Sequence, residues 1–194
     1  MPLMLKGQRC LTDKCPVKSK KKYPPGPPRK RRAKLSDYAV QLREKQRIRR
    51  SYGLMESQFR LLFKDALRMK GVTGDTLMSL LERRLDNVLY RMGFASSRSQ
   101  ARQLVKHKHV LVSGKIVDIP SYRVNEGSVV SMRENYASNV MLEDSIKLAK
   151  AIDSVPGWIE VDFEKRNGRI IRLPMREDIT TNFNDQLVVE LYSK

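Results

Sequence analysis

Apolar positions between Leu85 and Met132 change period once, and that change marks out a compact module. Leu85, Val88, Leu89 and Met92 are spaced i, i+3, i+4 and i+7, which puts one apolar stripe on a helix, and Gly93 follows as a stop. Ser97 with Gln100 three residues on has the form of a capping box, each side chain satisfying a backbone N–H at a helix start. Ala101, Leu104 and Val105 then give a second helix its buried face. After that the period shortens. Val110-Leu111-Val112 and Lys115-Ile116-Val117 flank Ser113-Gly114, a two-residue hairpin signal, and Asn125-Glu126-Gly127 turns the chain into a further strand ending at Met132. Two helices packed on a small antiparallel sheet are predicted.

Upstream, from Ser36 onward, the pattern is helical throughout. Ser36 caps a predicted helix from Asp37 to about Tyr52, closed by Gly53, with Asp37 in the first turn and Arg49-Arg50 in the last, as the helix dipole favours. Tyr38, Leu42, Ile48 and Tyr52 are expected to pack inward. Phe59, Leu62, Phe63, Ala66 and Leu67 predict a helix from about Met55 to Lys70, ended by Gly71, with its aromatics in the core. Thr73 or Asp75 starts the next stripe, where Leu77, Leu80 and Leu81 share an apolar side with Leu85. One long helix is therefore expected to bridge into the module, with Arg83 and Arg84 at the bridge.

Downstream, Leu142, Ile146, Ala149 and Ile152 predict a helix over 139–153. Trp158 to Phe163 and Arg169 to Leu173 are β-rich runs around Lys165-Arg166-Asn167-Gly168, expected to form a hairpin turning at Asn-Gly and joining the module's sheet. In the last stretch, Leu187, Val188 and Leu191 fit a helix, while Val188-Val189 suits a strand equally well. The fold class is α+β in three parts. A basic extended N-terminal arm occupies 1–35, a helical domain 36–81 joined by 174–194, and the two-helix and sheet module, with its added helix and hairpin, 82–173.

Charge changes the picture more than composition does. With 40% apolar and 31% charged residues the chain is more polar than a typical globular domain. Its net charge of +18 is uneven: residues 1–50 carry 17 Lys or Arg against three acids, and the other 144 carry 22 against 18. Residues 16–34 hold five of the nine prolines and nine Lys or Arg, too little apolar surface for a core, so an arm that orders on a partner is expected. A polyanion suits such a segment, and nucleic acid is favoured over a membrane because the tail has no apolar anchor. Arg98, Arg102 and Lys106, four residues apart, form a basic ridge expected to face solvent beside the second helix's buried face. Arg43, Arg47 and Arg50 recur similarly on the first long helix, where so much like charge is offset by a polyphosphate. The residues assigned to RNA are Lys30, Arg31, Arg32, Arg43, Lys45, Arg47, Arg49, Arg50, Arg83, Arg84, Arg98, Ser99, Arg102, Lys106 and Lys108.

Catalysis is not indicated. His107 and His109 stand two apart without a nearby Cys or carboxylate set, and Asp162 with Glu164 and Glu177 with Asp178 fit solvated turn acids. The sequence has neither a phosphate-cradling Gly-rich loop nor a Gly-x-Ser-x-Gly turn, so no cofactor is expected. Cys10 and Cys15 supply only half of a tetrahedral zinc shell, so no metal is expected. No run of eighteen apolar residues occurs and Met1 to Leu5 is too short for a signal h-region, which points to a reducing, cytosol-like compartment and no membrane.

RLDNVLYRMGF, SRSQARQLV and VLVSGKIVDIPSYRV together resemble the RNA-binding module named after the S-four protein of the small ribosomal subunit. LSDYAVQLREKQRIRRSYG and the terminal LVVELYSK are similar to the bacterial S-four ribosomal family outside that module. The resemblance implies a non-enzymatic primary binder of small-subunit rRNA that helps nucleate the subunit body and contributes to translational accuracy. It also implies S-five and S-twelve family neighbours, mRNA close by, a ribosome in the cytoplasm or an organelle, and a C-terminal stretch that returns to the helical domain. Some members carry a four-cysteine zinc site near their start; here one pair is absent, through a late start or loss of the site. The alternatives are a non-ribosomal RNA binder and a fragment of an RNA-modifying enzyme carrying the same module.

Overall fold

A computed structural model describes residues 3, 5–18, 34–152 and 155–193. The arm residues Lys30, Arg31 and Arg32 lie outside the described residues. Residues 5–18 are not an extended arm. They fold into turns around a short helix, α1 (Gln8–Leu11), with Cys15 buried, and Gly7 and Leu11 share a cavity wall with Tyr90 and Ala149 of the module.

Helix α2 (Asp37–Ser51) starts at Ser36, whose Oγ accepts from the Ala39 N–H at 3.3 Å. Its buried stripe is Gln41, Lys45, Ile48 and Ser51, with Tyr52 just beyond. Tyr38 is 59% exposed, contrary to expectation, because it lies one turn before the covered part of the stripe. Helix α3 (Glu56–Arg68) buries Phe59, Leu62, Phe63 and Ala66, whereas Leu67 is exposed, roughly a quarter-turn away from that stripe.

The long bridging helix does not exist as one piece. Helix α4 (Thr73–Glu82) ends at Arg83, Arg84 is extended (φ −66°, ψ 136°), and α5 (Leu85–Arg91) begins afresh. The cause is the loop before Asn125. Val124 N–H donates to Arg83 O at 3.0 Å and Leu85 N–H donates to Tyr122 O at 2.8 Å, so a strand-like pairing claims the backbone groups that a continuing helix would use. Period alone could not reveal this break, because Leu81 and Leu85 lie on one stripe in either case.

Helix α6 (Arg98–Lys106) has half of the expected capping box. Ser97 Oγ accepts from Gln100 N–H at 3.3 Å, but Gln100 Oε1 accepts from the Ser96 N–H and hydroxyl, each at 2.8 Å, rather than from Ser97 N–H. Strands β1 (Val110–Val112) and β2 (Lys115–Ile116) form the hairpin, with φ of 47° at Ser113 and 80° at Gly114. Strand β3 (Val129–Met132) pairs with β1 on its other side. After α7 (Glu134–Ala137), α8 (Val140–Ile152) buries Leu142, Ile146 and Ala149; Ile152, its last residue, is exposed.

Strands β4 (Ile159–Asp162) and β5 (Asn167–Ile170) complete an antiparallel sheet in the order β2-β1-β3-β5-β4. Asn167-Gly168 is not their turn. Asp162 pairs with Asn167, and the chain reverses over 163–166, where Asp162 Oδ1 accepts from the N–H groups of Glu164 and Lys165 at 3.0 Å. Gly168 serves packing instead: a Cβ there would stand 2.9 Å from Met92 Cε and 3.1 Å from Glu160 O. The expected strand over 169–173 ends early, with Ile171 50% exposed.

A 3-10 turn, Arg176–Asp178, leads to α9 (Asp185–Tyr192), which resolves the helix-or-strand alternative and packs on α2 and α4. Two cores result. Ile48, Phe59, Phe63, Leu77, Leu81, Phe183 and Val188 fill the helical one. Leu85, Leu89, Phe94, Leu104, Val130, Trp158 and Ile170 fill the one under the sheet.

Candidate nucleic-acid interface

The two cores meet at Glu82, the last residue of α4, which is 1% exposed. Its carboxylate accepts from Tyr52 OH at 2.6 Å, Asn87 Nδ2 at 2.8 Å, and Arg91 Nε and Nη2 at 2.9 and 2.7 Å. Burial alone would raise this carboxyl, but the Arg91 charge and hydrogen bonds, with Arg98 beyond, outweigh it and hold the pKa at about 2. Burial and the Glu82 charge push the Tyr52 phenol upward, so it stays a donor. Helices α2, α4 and α5 are thereby tied by one ion.

Above this knot opens a cleft of about 290 Å³. Lys6 comes to it from the N-terminal segment, Arg50 from the end of α2, Asp86 from α5, and Arg98, Ser99 and Arg102 from the start of α6. Arg98 Nε donates to Asn87 Oδ1 at 2.7 Å, and its guanidinium lies over the rings of Tyr52 and Tyr90, 4.7 and 4.6 Å from their centroids. Arg102 Nη1, enclosed and without a hydrogen bond, is 3.6 Å from Asp86 Oδ2. Asp86 is already engaged by Arg84, through bonds of 3.1 and 2.8 Å. Four cations thus face one committed carboxylate, and the unpaired N–H groups at the start of α6 add to the positive potential. The arrangement suits the non-bridging oxygens of a phosphodiester.

The assigned residues separate into distinct groups. Arg43, Arg50, Ser99, Lys106 and Lys108 are exposed. Arg98 and Arg102 do not project into solvent as a ridge, since α5 and Tyr52 lie against them; they line the cleft wall. Arg84 is buried with Asp86, and Lys45 is buried with its Nζ 2.5 Å from Glu56 Oε1, so both are corrected from surface ligands to internal partners. Arg47 donates to Glu44 Oε1 at 3.1 Å and to Asn182 O at 2.9 Å, tying α2 to the segment before α9. Arg49 donates to Gln46 Oε1 at 2.9 Å and to Leu54 O at 3.2 Å. Arg83 donates to Val124 O at 3.1 Å and to Asn125 Oδ1 at 2.6 Å, and burial together with Arg123 lowers its pKa.

Sequence reasoning missed Lys6, Glu82, Asn87 and Tyr90. A signal existed for two of them: Glu82 and Asn87 are polar positions that interrupt the apolar run from Leu77 to Leu89. Of the other groups, the His109 ring stacks on Tyr136 at 4.4 Å while burial and His107 lower its pKa, and Asp178 accepts from both Arg172 Nη groups at 2.6 Å. Cys10 and Cys15 are free thiols, and among the described residues no group of three or more His, Cys, Asp or Glu could hold a metal ion.

Two family models match consecutive parts of the chain. The ribosomal protein S4/S9 N-terminal domain covers residues 1–82 and the S4 domain residues 83–130. Small ribosomal subunit protein uS4 of Pelobacter propionicus is 55% identical over 194 residues, all of this chain and 92% of the relative. The uS4A protein of Nitrosomonas europaea is 52% identical over 192 residues, 99% of this chain and 91% of its own. Small ribosomal subunit protein uS4 of Thermoanaerobacter sp. is 48% identical over 194 residues, all of this chain and 92% of the relative. Relatives this similar span the full length of the chain, and the chain belongs to the uS4 family of small ribosomal subunit proteins.

Proposed function

We propose that the chain binds small-subunit rRNA directly, helps nucleate assembly of the subunit body and contributes to translational accuracy, without catalysis. The observation that carries this reading is the cleft, where Lys6, Arg50, Arg98 and Arg102 converge next to the start of a nine-residue helix, with room for an RNA backbone phosphate and its neighbours. Arg43, Lys106 and Lys108 extend the basic surface outward, and Lys30, Arg31 and Arg32 add a second grip from the arm. Recognition is of backbone shape, through phosphate and 2′-OH contacts, because the deep groove of an RNA helix hides its base edges. The S-five and S-twelve families, and mRNA where it enters the subunit, are the neighbours assigned on the ribosome.

The domain division that serves this function falls between residues 81 and 82, just before Arg83 and Arg84, with 36–81 and 174–194 on one side and 82–173 on the other. Chemical footprinting of small-subunit rRNA with and without the protein tests the reading. One compact protected junction is expected; diffuse protection along the whole RNA, growing with protein concentration, would overturn it.

A further inference from the structure

Arg98 is held in place before any partner arrives, and the residue that holds it comes from another helix. Asn87 is 1% exposed, and its Nδ2 donates to two acceptors, Glu82 Oε2 at 2.8 Å and Glu82 O at 3.0 Å. Both are acceptors only, a carbonyl and an ionised carboxylate, so the amide has one orientation and its Oδ1 must face away from Glu82. That oxygen receives Arg98 Nε at 2.7 Å. The bond uses the single Nε–H, and among the described residues the Arg98 side chain makes no other hydrogen bond. The rings of Tyr52 and Tyr90, each with the guanidinium over its face, complete the mount, and Arg98 lines the cleft with Arg102 and Arg50.

We infer that Asn87 is a positioning residue for RNA recognition: fixed by Glu82, it presents its carbonyl to Arg98 Nε and so sets the guanidinium across the cleft as a preformed phosphate ligand. The inference rests on the rRNA-binding reading and adds to it where selectivity arises. A flexible arginine on an open helix face adapts to any phosphate, at the entropic cost of ordering a long side chain on binding. An arginine already ordered in the unbound protein accepts only those backbones that place an oxygen where its remaining N–H groups point. Glu82 has a further consequence for the site. It neutralises Arg91, so a second cation beneath Arg98 does not push the guanidinium out of the cleft.

The test is a double-mutant cycle on binding by the full chain. Asn87→Leu, Arg98→Ala and the double variant are titrated against the rRNA fragment that the wild type protects and against an unrelated structured RNA of equal length, over a salt series. Asn87→Leu should weaken binding to the protected fragment by about tenfold and leave the unrelated RNA nearly unaffected, while in the Arg98→Ala background it should change binding by less than about twofold. Arg98→Lys keeps the charge and loses the Nε anchor. It should keep the wild-type salt slope and still lose discrimination. If Asn87→Leu fails to fold, Tyr90→Leu, which removes one ring of the mount and leaves the Glu82 bonds untouched, takes its place in the cycle. Equal factors in both backgrounds would mean that Asn87 acts on the fold alone and would overturn the inference, as would wild-type affinity and discrimination in the folded variant. A wild type that binds both RNAs equally defeats the functional reading and this inference together; an additive cycle on a discriminating wild type defeats the inference only.

Discussion

The helical half and the sheet half of the molecule are closed by different means. The sheet half closes on itself with backbone ladders between strands, over an apolar core of aliphatic side chains with Phe94 and Trp158. The helical half is completed only by the last residues of the chain. Its ties are side-chain bonds across sequence separations of 135 to 149: Arg47 to Asn182, Tyr192 to Glu56, Asn184 to Glu44 and Gln41 to Glu190. A half closed by polar ties must spend charged residues internally, and those residues look like RNA ligands in a sequence. Lys45 and Arg47 are such cases; α6 belongs to the other half, and its outward Lys106 carries no such tie among the described residues.

The contrast is sharpest where the halves join. Replacing Glu82 by Ala leaves Arg91, Asn87 and Tyr52 buried without their common acceptor, and should cost about 3 to 5 kcal/mol of stability. It should also separate the halves. Trp158, the only tryptophan, is 1% exposed in the sheet half, so its fluorescence reports that half alone, while far-ultraviolet circular dichroism reports the helices of both halves. In urea the two signals should coincide for wild type and part for Glu82→Ala, where a first fraction of the helical signal, from α2, α3, α4 and α9, is lost before the fluorescence changes. Coincident curves with a loss under about 1 kcal/mol would show that the join does not depend on this ion.

Acid should act on the same residue. Its folded pKa of about 2 lies below the ordinary 4.5, so as the pH falls the unfolded chain takes up the proton first. The stabilisation from Glu82 is therefore complete above about pH 4.5 and is lost as the pH falls through about 2, on the order of 3 kcal/mol across that window. Glu56 and Asp178 are also held down by basic partners, so wild type carries a further acid-sensitive slope. Unfolding free energies measured at intervals from pH 6 to 2.5 should show a shallower slope for Glu82→Gln than for wild type. Parallel slopes would locate the acid sensitivity elsewhere.

How legible this was follows from the same physics. Periods of 3.6 and 2 reflect burial of one face, so α2, α3, α5, α6, α8 and the β1-β2 hairpin could be anticipated from residues such as Val88, Phe59 and Val110. The break at Arg84 could not, because its cause is a loop forty residues away in the chain that competes for the same backbone groups. The displaced hairpin turn has a similar origin. Asn167-Gly168 has the local chemistry of a turn, yet Met92 needs the space that a glycine leaves in the strand, and the pairing moved accordingly. Of the cleft, Arg50, Arg98, Ser99 and Arg102 were visible as cations and a polar neighbour on helix faces. What was not visible was how little of Arg98 is free to move, since its anchors Asn87 and Tyr90 come from α5 and Tyr52 from the end of α2.

Two cations of α6 make a smaller test of that point. Arg98→Ala removes one hydrogen bond and two contacts with aromatic faces, and should cost about 2 kcal/mol of stability besides its effect on RNA. Lys106→Ala, on an exposed position of the same helix, should stay within about 0.5 kcal/mol of wild type. Denaturant midpoints at constant slope compare them directly. Equal effects would return Arg98 to the solvent-facing ridge that the sequence pattern implied.

The smallest expected effect concerns a further contact between the halves, the ion pair of Arg123 with Asp65 of α3. Its geometry is close, but the two side chains are 40% and 37% exposed, and at that exposure water and salt screen most of the attraction. Arg123 also stands near Arg83, whose guanidinium it disfavours, so removing it relieves a repulsion as well as breaking an attraction. The two changes oppose each other. Arg123→Ala should therefore shift stability by less than about 1 kcal/mol, and raising the salt from 50 to 500 mM should shrink even that difference. Arg123→Ala paired with Asp65→Ala in a double-mutant cycle isolates the direct term from the relief at Arg83. A coupling above about 2 kcal/mol that persisted in high salt would make this pair, rather than Glu82, the tie that holds the two halves together.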